Sequence, residues 1–115
     1  MIMCLKMLKY KNIDLHSEED FVFVENFVKS VGNVNVYLSD LNPISCPKTN
    51  KELKYENVEL YMFGRELHFC DRKLSLREES SNDTDVYVGE NDMLISLPRG
   101  YKGASTYYHF VKVNK

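Results

Sequence analysis

The sequence predicts an α+β fold, in which one N-terminal amphipathic helix packs on a curved antiparallel sheet or small open barrel of five to six strands. Three observations predict it. A capped run near residue 20 repeats its apolar side chains every three or four positions, the segments after it repeat them every two, and turn residues interrupt those segments at short intervals.

The helix is "HSEEDFVFVENFVKSVGN". Ser17 followed by Glu18, Glu19 and Asp20 is an N-cap with acids in the first turn, which satisfies free N–H groups and complements the helix dipole. Gly32 supplies the C′ position. Between them Phe21, Val24, Phe27, Val28 and Val31 form an apolar stripe, and Phe23 falls outside it. "MIMCLKML" ahead of the helix reads as an edge strand or packed arm. It is too short to span a membrane and lacks the cleavage site of a secretory signal.

After Gly32 the period changes to two. "NVNVYLSDL" sets Val34, Val36 and Leu38 against Asn33, Asn35 and Tyr37, and a loop with Pro43, Pro47 and Asn50 follows. From Lys54 the chain reads as an antiparallel meander. Val58, Leu60 and Met62 alternate with Glu59, Tyr61 and Phe63; Gly64-Arg65 turns into "ELHFC"; and residues 71–73 separate that from "LSLR". "REESSNDTD" reads as a mobile polar loop. "VYVGENDMLISLP" is a hairpin that turns at residues 89–92, and "STYYHFVKV" closes the sheet with Tyr107, His109, Val111 and Val113 opposite in parity to Thr106, Tyr108, Phe110 and Lys112.

The 115 residues fit a single domain over 1–115, and the 43% apolar and 28% charged fractions are those of a chain with a real core. A net charge of -2 excludes a surface that is basic throughout, as nucleic-acid domains usually have. Charge is nevertheless polarised. Residues 78–92 carry only acids, Glu78, Glu79, Asp83, Asp85, Glu90 and Asp92, whereas from Arg99 onward there are only bases, Arg99, Lys102, Lys112 and Lys115. Cys4, Cys46 and Cys70 are odd in number and lack CxxC spacing, so neither a disulfide framework nor a zinc knuckle is expected, and reduced thiols in the cytoplasm of a cell or infected host cell account for them.

"LPRGYKGASTYYHF" holds the parts of a phosphate nest: Arg99, Gly100, Lys102, Gly103, Ser105 and Thr106. The spacing matches neither a P-loop nor a dinucleotide fingerprint, and the flanks read as strands, so a hairpin connection explains the same residues. Three histidines, His16, His68 and His109, have side chains suited to acid–base work near neutrality. His68 and His109 facing one groove beside Lys102, Arg72 or Tyr107 would make a metal-independent ribonuclease, but nothing in the sequence brings them together. His68 and Cys70 alone do not make a metal site. Eight Tyr and six Phe, with no Trp, put aromatics on the exposed parity of several strands. Such rings serve as core, as anchors of a protein interface, or as base-stacking surfaces.

With no catalytic signature and no cofactor or metal motif, the expected class is a small non-catalytic protein-binding module of the inhibitor or viral accessory type. Its partner is another protein rather than a membrane, engaged through the acidic loop of Glu78, Glu79, Asp83, Asp85, Glu90 and Asp92, whose carboxylates suit a basic site. The alternative is an RNA-binding protein or ribonuclease that uses the basic C-terminal strand with Arg99, Lys102, Tyr107, Tyr108 and His109. A self-assembling protein is a third class that sequence does not rank.

Overall fold

The computed structural model describes residues 9–43, 51–76, 84–98 and 105–113. The expected edge strand or packed arm at "MIMCLKML" lies outside them, as do Arg99, Lys102, Cys4 and Cys46 and residues 77–83 of the polar loop expected over 77–85; that loop's last two residues depart from the expectation, Thr84 being buried and Asp85 beginning a strand. The fold is α+β. Nine strands are described, β1 (Lys11–Ile13), β2 (Asn33–Ser39), β3 (Lys51–Glu59), β4 (Tyr61–Phe63), β5 (Glu66–Phe69), β6 (Arg72–Ser75), β7 (Asp85–Val88), β8 (Asp92–Pro98) and β9 (Ser105–Lys112), with one helix, α1 (Glu18–Val31). They make two sheets where five or six strands in one were expected. The six-stranded sheet runs β1-β7-β8-β9-β2-β3 and the three-stranded sheet β4-β5-β6; neither is a closed barrel.

Every described neighbour pair is antiparallel. β1 and β2 therefore point the same way although three strands stand between them, and α1 carries the chain from one to the other. Its 14 residues rise about 21 Å.

The caps form as the sequence predicts. Ser17 Oγ accepts from the Asp20 N–H at 3.2 Å, and the Asp20 carboxylate accepts in turn from the Asp14 N–H at 2.8 Å. Gly32 follows at φ 75, where a side chain would be strained. The stripe of Phe21, Val24, Phe27, Val28 and Val31 is buried, and Phe23 is exposed.

One apolar core joins these layers. Val34, Val36, Val86, Met93, Ile95 and Phe110 line the inner face of the large sheet, while Leu67, Phe69, Leu74 and Leu76 come from the small sheet and its end. Phe69 and Phe110 meet edge to face at 5.3 Å between ring centres, so the two sheets share the core through that contact. Arg65 fastens the small sheet to the segment before α1. Its Nη1 donates to the Leu15 carbonyl at 2.9 Å, and its guanidinium lies over the Phe21 ring at 4.1 Å.

The expected single strand over "ENVELYMF" divides at Leu60. Leu60 is buried at the corner where the chain leaves the large sheet and enters the small one. β3 is itself irregular. Its register against β2 shifts twice, and Asn57 adopts φ 56 with its N–H donating to Asn35 Oδ1 and its Oδ1 accepting from Asn33 Nδ2. Asparagine tolerates that backbone region better than most residues, so three asparagines hold the bulge.

Candidate functional site

Two constellations stand out from the polar surface, one on each sheet. The first lies on the face of the large sheet turned away from the core. β8 and β9 pair with Asp92 opposite Val111 and Leu94 opposite His109, so Asp92 and His109 share a face as diagonal neighbours. His109 Nε2 donates to Asp92 Oδ2 at 2.6 Å, and the Tyr10 hydroxyl donates to the same oxygen at 2.5 Å. Burial, then the hydrogen bond and charge of Asp92, push the Tyr10 hydroxyl well above its usual pKa. Gly89 makes room for the arrangement. A Cβ there would lie 2.7 Å from Tyr10 Cε2 and 2.8 Å from Asp92 Oδ1.

His109 is 7% exposed, and its Nδ1 is buried with no hydrogen-bond partner among the described residues. A ring held in this way ties β9 to β8 and to the segment before β1. Beside it Tyr87 and Tyr107 are half-buried on the same face, with the Tyr87 hydroxyl raised by burial first and by Asp85 and Tyr107 after it.

The second constellation lies on the outer face of the small sheet. Tyr61 and His68 are cross-strand partners and stack at 4.9 Å between ring centres, 14° from parallel; Phe63 meets the same imidazole edge-on at 6.3 Å. Tyr61 is 55% exposed and Phe63 72%. Glu66 Oε1 is 3.5 Å from His68 Nε2, and Lys73 reaches the other Glu66 oxygen at 4.0 Å. Lined by Tyr61, a groove of 420 Å³ runs between the C-terminal half of α1 and β4, with Val28, Leu60 and Met62 along it and Glu25, Lys29 and Glu59 among its polar lining.

The sequence-predicted residues fall as follows. Of the acidic set, Asp85 and Glu90 are exposed, Asp92 faces Tyr10 and His109, and Glu78, Glu79 and Asp83 lie outside the described residues. Of the basic-strand set, Tyr107 and His109 share the outer face, whereas Tyr108 points the other way and packs against the core, 6.3 Å from Phe69. Arg99 and Lys102 lie outside the described residues. β8 and β9 are hydrogen-bonded neighbours from Pro98 opposite Ser105, so the glycine-containing connection joins two strands, whereas a P-loop joins a strand to a helix.

His68 and His109 project from the outer faces of different sheets, with Phe69 and Phe110 of the shared core between them. They do not form one acid–base pair. Among the described residues no three His, Cys, Asp or Glu side chains converge as a metal site would need, and no helix is long and apolar enough to cross a membrane. No family model, curated protein or solved structure matches this chain.

Sequence reasoning placed Tyr61 and Phe63 on the exposed parity but missed the groove beside them. The groove depends on α1 and β4 meeting, a contact between distant parts of the chain. It also missed Asp92 with His109, for which the hairpin register was the available signal. Once β8 and β9 pair with Pro98 opposite Ser105, positions 92 and 109 fall on one face.

Proposed function

We propose that this chain is a non-catalytic binding module that occupies a partner protein, in the manner of an inhibitor or accessory protein, through the outer face of the small sheet and the groove beside it. The observation that supports this reading most directly is the pair of exposed rings, Tyr61 and Phe63, held against His68, with Tyr61 also lining an apolar-floored groove. Large rigid aromatics beside a pocket are the side chains from which binding hot spots are built, because they bury much area for little lost side-chain freedom.

The charge around the rings favours a protein over a nucleic acid. Glu25, Glu59 and Glu66 stand near them against Lys29 and Lys73, a balance that repels phosphate. Exposed Asp85 and Glu90 add to the negative field, and with Glu78, Glu79 and Asp83 they steer a basic partner toward the surface.

Affinity capture from lysate, with and without nuclease, tests the reading when run beside a Tyr61→Ser, Phe63→Ser double variant. A discrete protein kept in both nuclease arms and lost with the double variant is the expected result. Capture that survives the double variant, or that vanishes with nuclease, contradicts it.

A further inference from the structure

The turn that follows β4 fixes which backbone groups β4 leaves open. Gly64 and Arg65 form a two-residue loop between Phe63 and its cross-strand partner Glu66. Gly64 has φ 62 and Arg65 no positive φ, as in a type II′ hairpin turn. The residues flanking such a loop exchange both ladder hydrogen bonds, and the pattern alternates along an antiparallel pair. Phe63 and Tyr61 therefore direct their N–H and C=O groups to β5. Met62 directs its own to the opposite edge, where no strand lies among the described residues.

The groove lies on the α1 side of β4. Its floor is Val28, Leu60 and Met62, and its rim holds two carboxylates, Glu25 and Glu59, against the single ammonium of Lys29. An edge strand facing a helix across an apolar-floored groove has the elements of strand addition: main-chain bonds give affinity, and alternate side chains of the added strand enter the floor.

We infer that the groove takes an extended peptide segment of the partner protein, which pairs its backbone with Met62 and lays an apolar side chain between Val28 and Leu60, with a lysine or arginine beside it facing Glu25 and Glu59. This inference rests on the protein-binding reading above and adds the form of the partner. A helical segment satisfies its own backbone and leaves Met62 unpaired, and a nucleic acid brings phosphate to two carboxylates.

The probe is a phage-displayed library of random linear peptides selected on the intact protein, followed by single N-methylation along one selected peptide and by hydrogen exchange of the Met62 amide in its complex. The expected peptides carry an apolar residue beside a base and lose binding to Phe63→Ser. Methylation at alternate positions weakens them at least about tenfold. The Met62 amide slows on binding, while those of Tyr61 and Phe63, already bonded to β5, change little.

Peptides that sense Phe63→Ser but leave the Met62 amide unprotected, or tolerate methylation throughout, overturn the extended pairing and leave the protein-binding reading standing. Failure to select any peptide that senses Phe63→Ser also overturns the peptide mode, and the capture experiment decides the broader reading independently.

Discussion

The carboxylate of Asp92 lies 2.6 Å from Nε2 of His109, across a hairpin in which the two residues are diagonal rather than direct partners. The same oxygen binds the Tyr10 hydroxyl, so one side chain joins β8, β9 and the segment before β1. This is why Asp92, alone among the described acids of residues 78–92, has a structural duty. Replacing it with asparagine leaves a buried imidazole facing an amide and weakens two charge-assisted bonds, a loss of about 2–4 kcal/mol. Urea denaturation measures it. A change below about 0.5 kcal/mol, the usual range for a solvated surface residue, contradicts the assignment.

Gly89 is required by the same network. In Gly89→Ala the new methyl meets Tyr10 Cε2 at 2.7 Å, and Tyr10 cannot move without leaving Asp92. The variant loses about 1–3 kcal/mol. The loss shrinks when Tyr10→Ala is already present, which a double-mutant cycle reads.

Alkaline pH acts on Tyr10. Its pKa is raised in the fold, by burial first and by Asp92 next, so the folded state holds the proton more tightly than the unfolded chain. Stability from this group is complete below the ordinary tyrosine value of about 10 and is lost as pH rises from there toward the folded value. Thermal melting from pH 8 upward shows the decline. Tyr10→Phe removes part of that slope, and Tyr87, raised mainly by burial, retains the rest.

The turn between β5 and β6 has cysteine where its backbone asks for glycine. Cys70 adopts φ 51 in a two-residue loop between Phe69 and Arg72, the counterpart of Gly64 in the preceding turn. A side chain in that region costs about 1–2 kcal/mol. Cys70→Gly raises the unfolding free energy by about 1 kcal/mol, less than the full strain because glycine adds freedom to the unfolded chain, and Gly64→Ala lowers it by a similar amount. Opposite signs at the two turns are the diagnostic result.

What the sequence made legible was local. Ser17, Gly32, Gly64 and residues 89–92 announce their caps and turns because glycine and the short polar side chains act on the backbone beside them. β1 was invisible since "KNI" has no alternation of its own and becomes a strand only by pairing with β7. The division at Leu60 was hidden because apolar parity continues through it, Leu60 and Met62 both facing inward. The surface site was half legible: exposed parity marked Tyr61 and Phe63, while the groove waited on α1 meeting β4. Asp92 read as one more acid in an acidic run, since its partners are 17 and 82 positions away in the chain.

Anchoring of a partner protein by Tyr61 and Phe63, as proposed, is read by the partner's dissociation constant for Phe63→Ser against the unmodified chain, with Phe23→Ser on the exposed face of α1 as the control. Both sites are exposed, so both variants should keep the unmodified melting temperature. Phe63→Ser is expected to bind at least about tenfold more weakly, as for an aromatic hot spot, and Phe23→Ser to change little. Equal affinity for Phe63→Ser and the unmodified chain would contradict it.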